Sequence, residues 1–365
     1  MTDRLHGVDA ARAAALIGMF ATHTLPLRDP EGESVTGLVA DGRASALFAV
    51  LAGVGIVLSA GRPGGGHLAD GAALAVRGLL VGVLGLALVG LRPPVYVILA
   101  YYGLLFVVAI PLLRLPAAAL AAGAVVLGAT TPALSHLLRT GLSDGPVPQP
   151  GLGALADPGD LIVTLGLTGN YPVLTWTTYL LAGMAVGRLD LRSTRVATGL
   201  LGGGVALAVL ATVVSRVLVD RAPLEESAFL ERQYGSPPTD TWWWLVVDLP
   251  HSGTPFDLAH TVGSALAVLG LMLLLARWSR ALVWVPAAVG SVPLTLYTLH
   301  VVALAVYPAR GDGRGTVLLA HLAGAVVIGV LLRAAGRRGP LEFVVSGLGR
   351  RTRGSVRGAG THRVS

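Results

Sequence analysis

The sequence predicts an all-α fold: a polytopic membrane bundle of about ten transmembrane helices, with ten to eleven as the range. Three observations predict it. Of 365 residues, 53% are apolar and 13% charged, and the mean hydropathy is +0.71. Several runs approach or exceed the roughly 20 apolar residues that cross a bilayer. The arginines then fall on alternate sides of those runs, as the positive-inside rule requires. Length divided by a soluble-domain size would mislead here, so residues 1–337 read as one multi-pass domain. Residues 338–365 read as a basic tail, losing order past Arg350.

The expected spans are 8–27, 44–60, 73–91, 95–113, 116–138, 172–188, 195–218, 256–277, 281–307 and 315–335. Backbone polar groups in lipid must be satisfied within the segment, so each is read as a helix. The run 139–171, rich in Pro and Gly, has room for a re-entrant or interfacial helix. The first span is read as retained rather than as a signal peptide. Asp9 and Arg12 interrupt its apolar run, and no small-x-small cleavage site follows. With the N-terminus inside, 18 of the 27 Arg fall in inside segments and nine outside, and the C-terminus returns to the cytoplasm. All basic residues are Arg, which suggests a GC-rich genome. That topology accounts for the net charge of +7, so no nucleic-acid partner is expected; the tail arginines would instead face anionic membrane lipid. Self-association into a homo-oligomer is left open.

The first span carries charge that a purely structural span would lack. Arg12 and His23 are eleven positions apart, about 20° from one helix face, and Asp9 lies within roughly 40° of it. Ionisable groups in a span are costly and usually face a polar interior. For Asp9 and Arg12 a helix cap and a snorkelling side chain stand beside a functional reading; for His23 function is preferred. The topology also puts six of nine histidines in the outer half: His23, His136, His251, His260, His300 and His321. His300 and His321 flank the last outer loop at similar depth. Imidazole is the natural general base near neutral pH. His23 is the first candidate, His251 with Asp248 the second, and His260, His300 and His321 are candidate channel residues. Arg43 falls on the same side as His23, placed to hold an anion or an oxyanion, with Asp41 close enough to neutralise it. The triplet Trp242, Trp243, Trp244 reads as an interfacial anchor rather than a sugar-stacking platform.

Several chemistries are unsupported. Cysteine is absent, so disulfides, thiolate metal sites and a cysteine acyl-enzyme are excluded. No HxxxH or HExxH spacing and no GxSxG elbow occurs, so no metal is expected. The glycine run at 64–66 lacks a following GK[ST], and Gly202–Gly204 read as a close-packing face.

Taken in order, several segments resemble a known group. Arg4, Asp9, Arg12 and His23 in RLHGVDAARAAALIGMFATH are similar to the opening of the heparan-alpha-glucosaminide N-acetyltransferase catalytic region and its bacterial relatives, with Ala13 where that region has Gly. Residues 41–61 resemble its second span, and YPVLTWTTYLLAGMAVGRLDL (171–191), with Trp176, a later one. Residues 289–304 and 339–350 resemble the bacterial YeiB-type proteins, domain-of-unknown-function family 418, and 250–271 a stretch of its actinobacterial members. The resemblance implies a multi-pass acyltransferase of a bacterial plasma membrane. Acyl-CoA, acetyl-CoA by the family's name, would be a co-substrate used from the cytoplasm, with no permanently bound cofactor. The acceptor would be a sugar or other small molecule on the far side. His23 is the nearest match to the family's histidine, although the mammalian enzyme carries its own further into the following loop. Under this reading Asp9 and Arg12 sit at the cytoplasmic mouth, where Arg12 meets a CoA phosphate, and Trp176 lines the substrate channel. The competing reading is a transporter or exporter of small or lipid-linked substrates, and a third is a non-catalytic scaffold.

Overall fold

A computed structural model describes residues 5–29, 32–60, 66–142, 147–225 and 233–361. Arg4, Arg62, Arg232 and Arg363 of the arginine count, and Gly64 and Gly65 of the glycine run, lie outside the described residues. The first helices are α1 (His6–Thr24), a short α2 (Val35–Ala40), α3 (Arg43–Ser59), α4 (His67–Val89), α5 (Leu99–Leu112) and α6 (Ala117–Arg139). Then come α7 (Pro158–Val163), α8 (Val173–Gly187), α9 (Thr194–Val219), α10 (Pro255–Trp278), α11 (Trp284–Val289), α12 (Pro293–Val306), α13 (Arg314–Ala334) and α14 (Pro340–Thr361). A two-residue antiparallel pairing of Arg28–Asp29 with Gly32–Glu33 is the sole extended element among the described residues.

The chain is a polytopic helical membrane protein. Each expected span except 281–307 has a single helix whose ends agree to within a turn or two. Among the described residues six helical segments are long and apolar enough to cross a membrane, and α5, α8 and α12 are shorter apolar helices. Fourteen residues rise only about 21 Å, less than a bilayer's apolar thickness. Such a helix is tolerable where its ends are wrapped in protein, and α8 is buried along its whole length. By contrast only 11% of the α13 window and 17% of the α6 window is buried. Val125, Leu210 and Leu319 stand fully outward, as a lipid-facing ring requires.

Small residues set the inner packing. Helix α3 crosses α8 at Gly53 and Gly183, where a methyl on Gly183 would enter the Val50 carbonyl and one on Gly53 the Leu180 carbonyl. Backbones this close need glycine on both helices. Helix α1 sits centrally against α3, α10, α11 and α13.

The structure bears on three expectations. The span 281–307 is two helices, because Gly290 meets the Asp9 backbone and Pro293 starts a fresh helix. The run 139–171 does contain helix α7, capped by the Asp157 side chain. The tail continues as helix α14 to Thr361, where composition alone suggests disorder past Arg350. The buried Asp70 carboxylate on α4 holds it, with Arg353 Nε at 2.9 Å and Arg357 at 3.8 Å. Helix α14 packs along α4 and so belongs to the bundle.

Candidate functional site

Two cavities lie back to back in the bundle. One is lined by histidine, the other by arginine, and both are cut from α1, α3, α5 with its leading turn, and α12. On α1, Met19 and His23 face the first and Arg12 the second. On α3 the pair is Ser45 and Phe48, and on α12 it is Tyr297 and Leu294. Ile98 lines one cavity and its neighbour Leu99 the other, so the partition is about one helical turn thick.

The histidine-lined cavity is a small cleft of about 100 Å³. His23, Asp41, His251 and three tyrosines (Tyr96, Tyr171 and Tyr297) line it. His23 Nδ1 lies 3.0 Å from His300 Nε2. His251 Nε2 lies 3.2 Å from Asp41 Oδ1, a carboxylate–imidazole pair that fixes the ring. His251 takes φ +62, a left-handed conformation uncommon outside glycine. The strain falls at a cavity-lining residue, where strained backbone tends to gather. The Tyr297 hydroxyl accepts a hydrogen bond from Ile98 N–H at 3.3 Å and marks the partition.

Three sequence-derived assignments change here. Asp248 pairs with His260 rather than His251, its Oδ2 being 2.7 Å from His260 Nδ1, with the Thr212 hydroxyl donating to it at 2.5 Å. Arg43 does not line the cavity. Its Nε–H donates to His260 Nε2 at 3.1 Å and its Nη1 to the Asp41 carbonyl at 3.1 Å, so Arg43 braces the two carboxylate–histidine pairs. Trp176 is core: it stands edge-on to Tyr171 and Tyr179, behind the Tyr171 that reaches the cavity. His300 and His321, expected at similar depth, stand with ring centroids 4.6 Å apart. His136 lies elsewhere, stacked on Trp242 at 4.3 Å.

The arginine-lined cavity holds Arg12, Arg77, Phe48, Tyr102, Phe106, Ser291, and Glu342 of α14. Arg12 Nη1 donates to Asp9 Oδ1 at 2.8 Å, and its other end lies over Gly55, where a Cβ would crowd it. Arg77 donates to Ser59 Oγ at 2.9 Å and lies over the Phe106 ring at 5.8 Å. Glu342 caps α12: Leu294 N–H and Thr295 N–H donate to its Oε1 at 2.7 and 3.1 Å, and the Thr295 hydroxyl to its Oε2 at 2.6 Å. Arg77 was open to sequence reasoning, as an arginine well inside a span. The pairing of Asp41 with His251 was not, because 210 positions separate them.

A comparison with curated proteins finds no match. The family model for heparan-alpha-glucosaminide N-acetyltransferase, catalytic, matches residues 4–218. That match includes Arg12, His23, Asp41 and Arg77 and both cavity walls on α1, α3 and α5. It takes in more than half of the 365 residues, and the chain therefore belongs to the heparan-alpha-glucosaminide N-acetyltransferase catalytic family, a family of membrane acetyltransferases.

Proposed function

We propose that this chain transfers an acetyl group from cytoplasmic acetyl-CoA to a sugar hydroxyl or amine on the opposite side of a bacterial plasma membrane. The observation that carries the reading is the pair of cavities on the same four elements, cationic on one side of a thin partition and histidine-lined on the other. The arginine bias of the sequence supports the arginine-lined cavity as the cytoplasmic one.

Arg12 and Arg77 suit the phosphates of CoA, because guanidinium groups bind phosphate through charge-assisted hydrogen bonds. Asp9 orients Arg12. His23 stands eleven residues further along α1, about 16 Å by helix rise, a span suited to the extended pantetheine arm. The thioester would then arrive at Tyr297. His23 takes the proton of the acceptor's O–H or N–H as that atom attacks the thioester carbonyl. The Tyr297 O–H stabilises the oxyanion. The carbon–sulfur bond breaks, and the CoA thiolate leaves with the proton returned by His23. His251, held by Asp41, orients the acceptor.

Thermal stability in detergent with acetyl-CoA tests this without knowledge of the acceptor. Ligand at about 100 times its dissociation constant adds about 2.7 kcal/mol. The expected result is a clear shift for the wild type, reduced in Arg12→Ala and Arg77→Ala. No shift with acetyl-, propionyl- or butyryl-CoA in folded protein overturns the reading and leaves a transporter in its place.

A further inference from the structure

His300 sits 2% exposed on α12. Phe20 stacks on its ring at 4.1 Å and 20°, and His321 meets it edge-on at 4.6 Å and 72°. Its Nε2 pairs with His23 Nδ1 at 3.0 Å, while its own Nδ1 is buried with no hydrogen-bond partner among the described residues. A buried, half-satisfied imidazole is costly, and an apolar side chain would fill the same space against Phe20 without that cost. What an apolar residue would not supply is the nitrogen facing His23.

We infer that His300 is a positioning residue for the acyl transfer: it holds His23 by Nδ1, so that proton transfer runs through Nε2 toward the cavity. An imidazole has two nitrogens, and a partner at one decides which carries the proton. In the proposed arrangement His23 Nδ1–H donates to His300 Nε2, and the neutral His300 carries its own proton on Nδ1. The His23 Nε2 lone pair is then the base. When His23 takes the acceptor's proton at Nε2 it keeps its Nδ1–H on His300, and the buried His300 stays neutral throughout. The arrangement is that of an oriented catalytic histidine, with a neutral imidazole where a carboxylate is more usual. Helix α12 is suited to the task, because Glu342 anchors its first turn and Pro293 pre-sets it. The inference rests on the reading of His23 as the base.

The test is long-range proton–nitrogen NMR of 15N-histidine-labelled full-length protein in detergent, with His23→Gln to assign the His23 signals. The wild type is expected to show His23 as the Nδ1–H tautomer. His300→Leu should lose that preference, and His300→Gln, whose Oε1 can accept at the place of Nε2, should restore it. His300→Phe replaces the leucine variant if that one fails to be stabilised by acetyl-CoA. In parallel, with glucosamine as the probe acceptor, kcat should fall about 100-fold in His300→Leu with the KM for acetyl-CoA within about twofold, and recover at least about tenfold in His300→Gln. An unchanged His23 tautomer in folded His300→Leu protein overturns the inference. Retained transfer in His23→Gln would instead overturn the base assignment, while the tautomer spectra still decide the pairing.

Discussion

The two ends of this bundle share helices and solve opposite problems. At the histidine-lined end each histidine has a dedicated partner: His23 with His300 and His251 with Asp41 from distant parts of the chain, and His260 with Asp248 from the loop before its own helix. At the arginine-lined end Arg12 has Asp9, and Arg114, Arg353 and Arg357 gather on Asp70. Arg77 has a serine and an aromatic face but, among the described residues, no carboxylate. One end thus fixes orientation and the other leaves cationic charge to spare. A site that moves a proton needs geometry, whereas a site that holds phosphate needs uncompensated charge.

Breaking the histidine end should cost most. His23→Ala is expected to lower acetyl transfer to glucosamine by about 10³-fold, within the usual span for a general base, and to leave acetyl-CoA stabilisation intact. A variant that loses both would place His23 in folding rather than in chemistry. At the other end the pattern should reverse. Arg77→Ala should weaken acetyl-CoA about 10–100-fold, read as a rightward shift in the thermal-stabilisation curve, with kcat at saturating donor nearly unchanged. Equal losses in kcat and affinity from Arg77→Ala would blur the division of labour between the cavities.

The sequence made half of this division legible. Hydropathy and arginine placement located the helices, since the lipid environment writes both directly into composition. Asp9, Arg12 and His23 were visible as charge in a span, and the depth pattern brought His300 near His321. The partners were not legible. Nearness in sequence pairs Asp41 with Arg43, two positions on, yet its carboxylate reaches His251 and only its carbonyl meets Arg43. Asp248 was assigned to His251 for the same reason and pairs with His260, one helical turn into α10. Local spacing says which residues are costly, and only packing says what relieves the cost. Trp176 shows the reverse error: a motif residue that the fold uses as core.

The tail offers a gentler test of the arginine end. Asp70 is 1% exposed and faces three guanidinium groups that are themselves part-exposed, so water screens much of their interaction. Asp70→Asn should therefore lower thermal stability by only about 1–2 kcal/mol. It should also release α14 from α4, read as faster proteolysis after Gly339 or as increased mobility of a spin label at Ser355. An unchanged cleavage pattern would mean that the Glu342 cap on α12 holds the tail without the Asp70 node.

The smallest effect expected is also informative. Trp242 is half-exposed beside Trp243, while Trp244 is buried with its indole N–H donating to Asp240 at 2.8 Å. Trp242 stacks on His136 of α6, and neither residue lines the histidine-lined cavity. If histidine content alone made that end reactive, disturbing His136 through Trp242 would matter. If the cavity makes it reactive, Trp242 is an interfacial anchor whose ring sits at headgroup depth. Trp242→Ala should then leave transfer to glucosamine and stabilisation by acetyl-CoA within about twofold of wild type, the range in which surface substitutions usually fall. A rise in the KM for glucosamine with kcat unchanged would give the tryptophan a part in acceptor binding, and the acceptor's path would then begin at α6 rather than at the cavity mouth.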